Sequence, residues 1–342
     1  MPRSLRFMTA KTQPPEPGGG EFALIARHFA RSSVALPSAV VLGVGDDCAL
    51  LQPTPGYLLA ISSDMLVEGR HFFPHTDPGS LGHKALAVNL SDLAAMGARP
   101  LGFTLALALP AVDDTWLAAF SRGLFALADV HVCPLVGGDT TRGPLNICIT
   151  VFGEVLPGRA LRRDAAQAGD DLWLSGRTGE ARLALAHRLG EPWAGAVEAG
   201  NWAQAQARLD RPTPRLSLGL ALAGVAHAAL DVSDGLAGDL GHILRASGLG
   251  AEIDWAALPL APALASLPLA QQQECVLYGG DDYELLVTAA PAVRGEMQAA
   301  AKTSGTPLQR IGRLLAAPGL YLIDAQRQLQ TLAIRGHDHF SV

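Results

Sequence analysis

The chain has 342 residues, a length that allows two α/β domains or one large barrel. Its hydrophobic content of 49% with 37 glycines is typical of a compact enzyme, and its formal net charge of −6 argues against a nucleic-acid-binding protein. The four cysteines form no C-x-x-C pair, no apolar run reaches the roughly 20 residues of a membrane helix, and the N-terminus lacks the apolar core of a signal peptide. We therefore expect a cytoplasmic protein without a zinc knuckle, a disulfide framework or a membrane partner.

The first 19 residues are rich in proline and lead into Gly18-Gly19-Gly20. This composition buries too little apolar surface to order a chain, so residues 1–19 are predicted to be a flexible tail. Order is expected to begin at Glu21, because Phe22, Ile25 and Phe29 recur at helical spacing.

Strands and helices alternate in the next part of the chain. Apolar runs predict strands at 40–44, 58–62, 101–109, 132–136 and 147–155, and apolar periodicity predicts helices at 80–96 and 113–129. Ser80 can cap the first of these helices and Gly97 can end it. Lys84, Val88 and Asp92 follow one another at spacings of four on that helix, so they share one face, which we expect to border a carboxylate pocket.

A domain boundary is predicted at Pro157-Gly158, because a new series of elements begins after residue 169. It gives an N-terminal domain at 20–157 and a C-terminal domain at 158–342. The second series comprises strands at 172–175, 228–232 and 285–288 and helices at 181–189, 214–223 and 236–247. The predicted fold class is α/β (α+β) with two lobes.

Three acidic motifs each follow a short apolar run, where a buried strand is expected to end: 45–47 (Gly-Asp-Asp), 137–143 (Gly-Gly-Asp-Thr-Thr-Arg-Gly) and 231–235 (Asp-Val-Ser-Asp-Gly). Loops at strand ends are common places for α/β active sites. If these loops converge, carboxylates about 4 Å apart repel by roughly 4 kcal/mol at an effective dielectric near 20, so cations must neutralise them. Carboxylates without a matching His/Cys set favour Mg²⁺, which usually accompanies phosphates. The motifs therefore indicate a magnesium-nucleotide enzyme.

Several features have simpler explanations beside the functional one. The copy of Gly-Asp-Asp at 169–171 is best explained as a turn, and a helix N-cap accounts for Ser233 or Asp234 about as well as catalysis does. No G-x-x-x-x-G-K-[ST] loop is present, so the phosphates would depend on Mg²⁺ and on arginines such as Arg142 or the Arg162-Arg163 pair.

Four segments closely resemble the thiamine monophosphate kinase family: 45–51, 84–98, 137–143 and 279–285. The resemblance extends from Gly20 to Phe340. Shorter pieces also resemble the wider superfamily of aminoimidazole ribonucleotide synthetase, selenophosphate synthetase and hydrogenase maturation proteins. The resemblance implies ATP-dependent phosphorylation of thiamine monophosphate to thiamine diphosphate with several Mg²⁺ ions. It also implies a homodimer whose N-terminal lobes pair their sheets into a shared β-barrel, with ATP near that interface.

The resemblance further implies roles for individual residues. The metal ligands it implies are Asp47, Ser62, Ser63, Asp64, Asp92, Asp139, Asp231 and Asp234. The ATP contacts it implies are Gly138, Asp139, Arg163 and Ser233, and the residues that would support transfer are Asp47, Asp64, Asp139 and Arg163. The substrate contacts it implies are His71, Asp281 and His337. The chain departs from the family pattern in carrying Asp281 in place of the more usual Glu, His337 in place of Trp or Tyr, and Ser63 in place of Thr.

Two other functions stay open from the sequence. One is another ATP-dependent synthetase of the same superfamily, which would keep the acids and change the acceptor pocket; selenophosphate synthetases generally carry a reactive Cys near the N-terminus, and the tail of this chain has none. The other is an inactive nucleotide-binding subunit, against which the full set of acids argues.

Overall fold

The computed structural model describes residues 21–31, 36–197 and 199–336. The predicted tail at 1–19 and His337 lie outside these residues. Among the described residues, no helix is both long and apolar enough to cross a membrane.

Helices and strands alternate along most of the chain. The helices are α1 Glu21–His28, α2 Pro78–Ala95, α3 Asp114–Val130, α4 Glu180–Arg188, α5 Ala199–Asp210, α6 Leu216–Leu222, α7 Leu236–Ser247, α8 Pro262–Ala265, α9 Leu269–Tyr278 and α10 Arg294–Ser304. The strands are β1 Val40–Leu42, β2 Leu50–Leu51, β3 Leu58–Val67, β4 Arg99–Leu109, β5 Leu135–Arg142, β6 Asn146–Val155, β7 Asp171–Ser175, β8 Ala228–Asp231, β9 Gly250–Asp254, β10 Leu285–Ala289, β11 Leu308–Leu315, β12 Gly319–Ile323 and β13 Leu329–Thr331.

The first large sheet has the order β3-β6-β4-β5, with β4 and β5 parallel and the other pairs antiparallel. Side chains alternate along β3, because successive residues of a strand point to opposite faces. Ser62 and Asp64 lie on the more buried face, toward α2, whereas Ile61, Ser63 and Met65 lie on the exposed face. We call the latter the open face of the first sheet.

The second sheet has seven strands in the order β13-β12-β9-β11-β7-β10-β8, with β12 and β9 parallel and the others antiparallel. A continuous hydrophobic core joins residues of both sheets; Phe103, Leu222 and Val287 belong to it and are fully buried. Helix α2 contacts the first sheet, α6 and β8. Side chains on α2 can therefore meet side chains of both halves of the chain, which we define as residues 21–155 and 171–336.

Most predicted elements are confirmed within a few residues, but two strands differ in a way that matters for the site. β3 continues to Val67, so Ser62, Ser63 and Asp64 lie inside a strand that pairs with β6 along its whole length. The Gly-Gly-Asp motif at 137–139 is part of β5 and not a loop, because it pairs in parallel with β4. A Cβ at Gly138 would lie 1.9 Å from the Leu105 carbonyl oxygen, so this strand pairing requires glycine there.

Helix α2 starts two residues earlier than predicted, and Ser80 is not its N-cap. The cap is Asp77, whose Oδ2 accepts the Ser80 N–H at 2.7 Å, with Pro78 at the first helical position. The predicted end is confirmed: Gly97 follows the helix with a φ of 65°. The first sheet closes no barrel among the described residues, and the domain boundary at 157/158 stays a prediction.

Candidate active site

A cavity of about 1190 Å³ lies between the two halves of the chain. Residues of β3 and α2 line it from the first half, and residues that precede α7 and β10 line it from the second. Seven of the predicted site residues line it: Asp64, His71, Asp92, Asp231, Ser233, Asp234 and Asp281.

The first half contributes Asp64 and Asp92. The Ser62 hydroxyl donates a short hydrogen bond to the Asp92 carboxylate, and the Asp64 N–H donates to the Asn89 side-chain oxygen at 3.1 Å. Burial, followed by the charges of Asp92 and Asp234, raises the pKa of Asp64 to about 6. Burial also raises the pKa of Asp92, although the Ser62 hydrogen bond and the positive charge of Arg163 oppose the rise. Two carboxyls that resist ionisation therefore face the cavity.

The second half contributes the loop that follows β8. Asp231 is buried at the end of that strand, and burial, followed by the charge of Asp92, raises its pKa to about 8. The charge of Asp64 acts in the same direction. Because these neighbours belong to β3 and α2, the two halves bring their carboxyls together in one place. Asp64, Asp92, Asp231 and Asp234 thus meet at one cavity. The predicted convergence of the three acidic motifs is only partly seen, since 231–235 contributes to the cavity lining and neither 45–47 nor 137–143 does.

A fifth carboxyl, Asp239 on α7, holds this loop in place, and no sequence motif pointed to it. Its Oδ2 accepts the backbone N–H groups of Ser233, Asp234 and Gly235 at 3.0, 3.0 and 3.1 Å. Burial raises the pKa of Asp239 to about 7 in spite of these three hydrogen bonds. Three donors on one oxygen fix the backbone that carries Asp231, Ser233 and Asp234.

The cavity carboxyls suit a hard divalent cation. Within the described ranges, no three His, Cys, Asp or Glu side chains are already gathered so as to hold a metal ion. The mutual repulsion that raises their pKa values would nevertheless be relieved by a cation between them, and an all-oxygen donor set is what Mg²⁺ prefers. We call the lining acids Asp64, Asp92, Asp231 and Asp234, together with Ser62, whose hydroxyl bonds to Asp92, the cavity group.

The other three predicted metal ligands lie elsewhere. Ser63 is on the open face of the first sheet, where its hydroxyl is 2.9 Å from that of Thr150. Asp139 is on the same face, because it is aligned through the sheet with Met65 and is exposed. Asp47 is exposed in the loop after β1. None of the three lines the cavity, so they lie apart from the cavity group.

The remaining predicted site residues lie at separate places in the chain's fold or outside the described residues. Arg163 is exposed, and its charge reaches Asp92. Gly138 lies in β5. His71 lines the cavity, and its Nδ1 accepts the Val67 N–H at 3.0 Å, which leaves the proton on Nε2. His337 lies outside the described residues.

Asp281 lies in the loop between α9 and β10 with a φ of 65°. Its N–H donates to the Ser233 carbonyl at 2.8 Å, which ties it to the acidic loop after β8. Its carboxylate Oδ1 is 2.9 Å from the Lys84 ammonium on α2. The predicted face of α2 is confirmed, since Lys84, Val88 and Asp92 all line the cavity.

Comparison with known proteins agrees with this architecture. Residues 45–155 match the family model "AIR synthase related protein, N-terminal domain", and residues 167–325 match "AIR synthase related protein, C-terminal domain". The chain is 46% identical over 327 residues to the thiamine-monophosphate kinase of Escherichia coli strain K12, covering 94% of this chain and 98% of that protein. The chain belongs to the thiamine-monophosphate kinase family.

Solved structures of family members show the same fold. The crystal structure of the thiamine-monophosphate kinase of Stenotrophomonas maltophilia K279a is 48% identical, with a TM-score of 0.78 over 83% of this chain and 91% of that one. The structure of AaThiL complexed with AMPPCP and TMP is 27% identical, with a TM-score of 0.71 over 84% and 89% of the two chains.

Proposed function

We propose that the chain transfers the γ-phosphoryl group of ATP to a phosphate oxygen of thiamine monophosphate, giving ADP and thiamine diphosphate. The observation that carries this proposal is the convergence of Asp64 and Asp92 with Asp231 and Asp234 in one cavity. A set of carboxylates can hold the Mg²⁺ ions that bind substrate phosphates. The structure of AaThiL is a complex with AMPPCP and TMP, which supports ATP and thiamine monophosphate as the ligands of this chain.

The cavity group would hold Mg²⁺. When bound, the ions would neutralise the charge that develops on the transferring phosphoryl group. The chain's own contribution is to keep five oxygen-bearing side chains from two halves of the molecule in fixed positions. Asp239 fixes the loop of Asp231 and Asp234, and Asn89 receives the N–H of Asp64.

The attacking phosphate oxygen is already anionic at neutral pH, so the reaction requires no strong base. The chain must align two anionic substrates and offset their repulsion. Arg163 is suited to add positive charge, because its charge already acts on Asp92. We expect direct transfer without a phosphoenzyme, and therefore intersecting rather than parallel lines in two-substrate initial-rate plots.

The acceptor would lie along α2. Lys84 and Asp92 are eight residues apart, which is about 12 Å along a helix. Asp281 stands at the Lys84 end, and Asp64 and Asp231 stand near Asp92. A molecule with two linked rings and a phosphate could place its phosphate at the cavity group and its amino-bearing ring at Asp281. His71, on the cavity wall, and His337 are the other proposed contacts.

We further propose a homodimer in which open faces pair into a barrel. Leu59, Ile61 and Met65 on β3 are 47%, 58% and 53% exposed, an apolar row that a second copy would bury. Ser63 and Asp139 lie on this same face. We propose that ATP binds near such an interface, at Gly138, Asp139, Arg163 and Ser233. This would give Asp47, Ser63 and Asp139 the metal-binding role predicted for them, which a single chain does not show.

The proposal is tested by incubating the purified protein with ATP, Mg²⁺ and thiamine monophosphate and separating the thiamine species by chromatography. Thiamine diphosphate should form in a 1:1 ratio with ADP. ADP release without thiamine diphosphate, or neither product, would contradict the proposal and favour another synthetase activity or an inactive subunit.

A further inference from the structure

Lys84 is a buried lysine in the wall of the cavity. Its side chain is only 6% exposed, and its ammonium pairs with Asp281 Oδ1 at 2.9 Å. Burying an ammonium is costly unless an anion and hydrogen bonds compensate it. The residues belong to α2 and to the loop before β10, so this ion pair joins the two halves of the chain beside the cavity.

The same contact orients Asp281. The Tyr283 hydroxyl also approaches Oδ1, at 3.3 Å. Two backbone hydrogen bonds fix this segment, since the N–H of Asp281 donates to the Ser233 carbonyl and the N–H of Tyr283 donates to the Val232 carbonyl, each at 2.8 Å. Among the described residues, no group donates a hydrogen bond to Oδ2 of Asp281, and the side chain is 32% exposed. Lys84 and Tyr283 thus hold one oxygen of this carboxylate and leave the other open to a ligand.

The charge of Asp281 acts on Tyr283 together with the charges of two other cavity acids. Burial, followed by the charges of Asp281, Asp231 and Asp64, raises the pKa of Tyr283 well above its usual value. Four arginines line the cavity, and three of them pair with other acids: Arg182 with Glu191, Arg188 with Asp210 and Arg335 with Glu274. The fourth is Arg70. Among the described residues, Lys84 is the cation that forms an ion pair with Asp281.

We propose that Lys84 is a positioning residue for the acceptor: its ammonium holds Oδ1 of Asp281 and turns the carboxylate so that Oδ2 accepts a hydrogen bond from the amino group of the acceptor's ring. This inference rests on the proposed function, because it takes Asp281 to contact thiamine monophosphate. It gives Lys84 a part in acceptor recognition and none in binding ATP. It also lets Asp281, whose side chain is shorter than the more usual Glu, contact the acceptor without extending further into the cavity.

The test is the variant Lys84→Met, which keeps much of the aliphatic stem and removes the charge. The KM for thiamine monophosphate should rise by about 10- to 100-fold, as for the loss of one partner of a buried charge pair, with the KM for ATP within twofold of the parent. Lys302→Met, which removes an exposed lysine on α10, is the matched control and should change neither constant. An unchanged acceptor KM, or equal changes in both constants, would overturn the proposal.

The double variant Lys84→Met/Asp281→Asn shows whether Lys84 acts through Asp281. If it does, the acceptor KM of the double variant should be no worse than that of the poorer single variant; multiplicative effects would overturn the proposal. Should Met disturb the packing, Lys84→Gln is uncharged, still donates a hydrogen bond and is expected to show the same KM pattern. Failure of the proposed function is distinguishable, because the parent protein would then form no thiamine diphosphate at all.

Discussion

Asp92 on α2 and Asp231 at the end of β8 belong to different halves of the chain, yet their charges interact directly. Next to burial, the charge of Asp92 is the main reason that the pKa of Asp231 rises to about 8. Two acids placed so that neither ionises easily destabilise a fold, and a cation-binding site gives a reason to keep them. Removing either acid should therefore affect both catalysis and stability.

Asp64→Asn should lower kcat/KM by roughly 10²- to 10³-fold, because it removes one charged stabiliser of the transition state for phosphoryl transfer. Asp254→Asn is the matched control, since Asp254 lies at the end of β9, pairs with Arg327 and does not line the cavity. Initial rates at several ATP and acceptor concentrations give both values. An Asp64→Asn variant within tenfold of the parent would remove this residue from the site.

The ligand-free protein should become less stable as the pH rises from about 4 to 8. The folded state holds protons on Asp231 up to a pKa of about 8 and on Asp239 up to about 7, whereas the unfolded chain releases them near 3.9. Between these values the folded state binds more protons, so the free energy of unfolding falls with rising pH. One pKa unit corresponds to about 1.4 kcal/mol, so Asp231→Asn should raise that free energy at pH 8 by about 1 kcal/mol or more.

Urea unfolding of both proteins at pH 5 and pH 8, without Mg²⁺ or nucleotide, measures this effect. Asp231→Asn should flatten the difference between the two pH values. If the variant and the parent lose the same stability between pH 5 and pH 8, the raised pKa of Asp231 has no consequence for folding.

Asp239→Ala should impair catalysis although Asp239 does not line the cavity, because three backbone N–H groups lose their acceptor and the loop of Asp231 and Asp234 is released. We expect a higher Mg²⁺ concentration for half-maximal activity, and Asp239→Asn should restore much of the loss, since its amide oxygen can accept the same hydrogen bonds. Asp113→Ala, which removes an N-cap of α3, is the control for lost stability alone. Equal Mg²⁺ dependence in Asp239→Ala and Asp113→Ala would argue that Asp239 is only a structural cap.

Ile61→Glu should separate a homodimer into monomers, because it places a charge in the middle of the exposed apolar row on β3. Leu269→Glu is the control, since Leu269 is 54% exposed at the start of α9, far along the chain from the first sheet. Light scattering coupled to size-exclusion chromatography measures the mass. A parent protein that is monomeric, or an Ile61→Glu variant that stays dimeric, would refute pairing through the open face.

The sequence predicted best what depends on local spacing. The shared face of Lys84, Val88 and Asp92 follows from helical periodicity and is confirmed. The predicted strand at 58–62 ends at Ser62 and leaves Asp64 outside, because polar residues interrupt the apolar run there. In the structure both residues lie inside β3, where they alternate with exposed residues, and such a strand needs no continuous apolar run.

Other parts of the site depend on contacts between distant segments. Asp239 was missed because its partners are backbone N–H groups, whose positions no residue type reveals. The Lys84–Asp281 pair depends on how the two halves pack together. The separation of Ser63 and Asp139 from the cavity group depends on which face of the sheet each side chain occupies, and a shift of one residue in strand register would reverse it.

Phosphorylation of thiamine monophosphate in this interlobe cavity is tested most directly by comparing ADP release with four acceptors at equal concentrations of ATP and Mg²⁺. These acceptors are thiamine monophosphate, thiamine, an aminoimidazole precursor and selenide. We predict that thiamine monophosphate alone gives ADP release above the rate without acceptor, together with an equal amount of thiamine diphosphate. ADP release stimulated by the aminoimidazole precursor or by selenide, and not by thiamine monophosphate, would contradict the proposed activity.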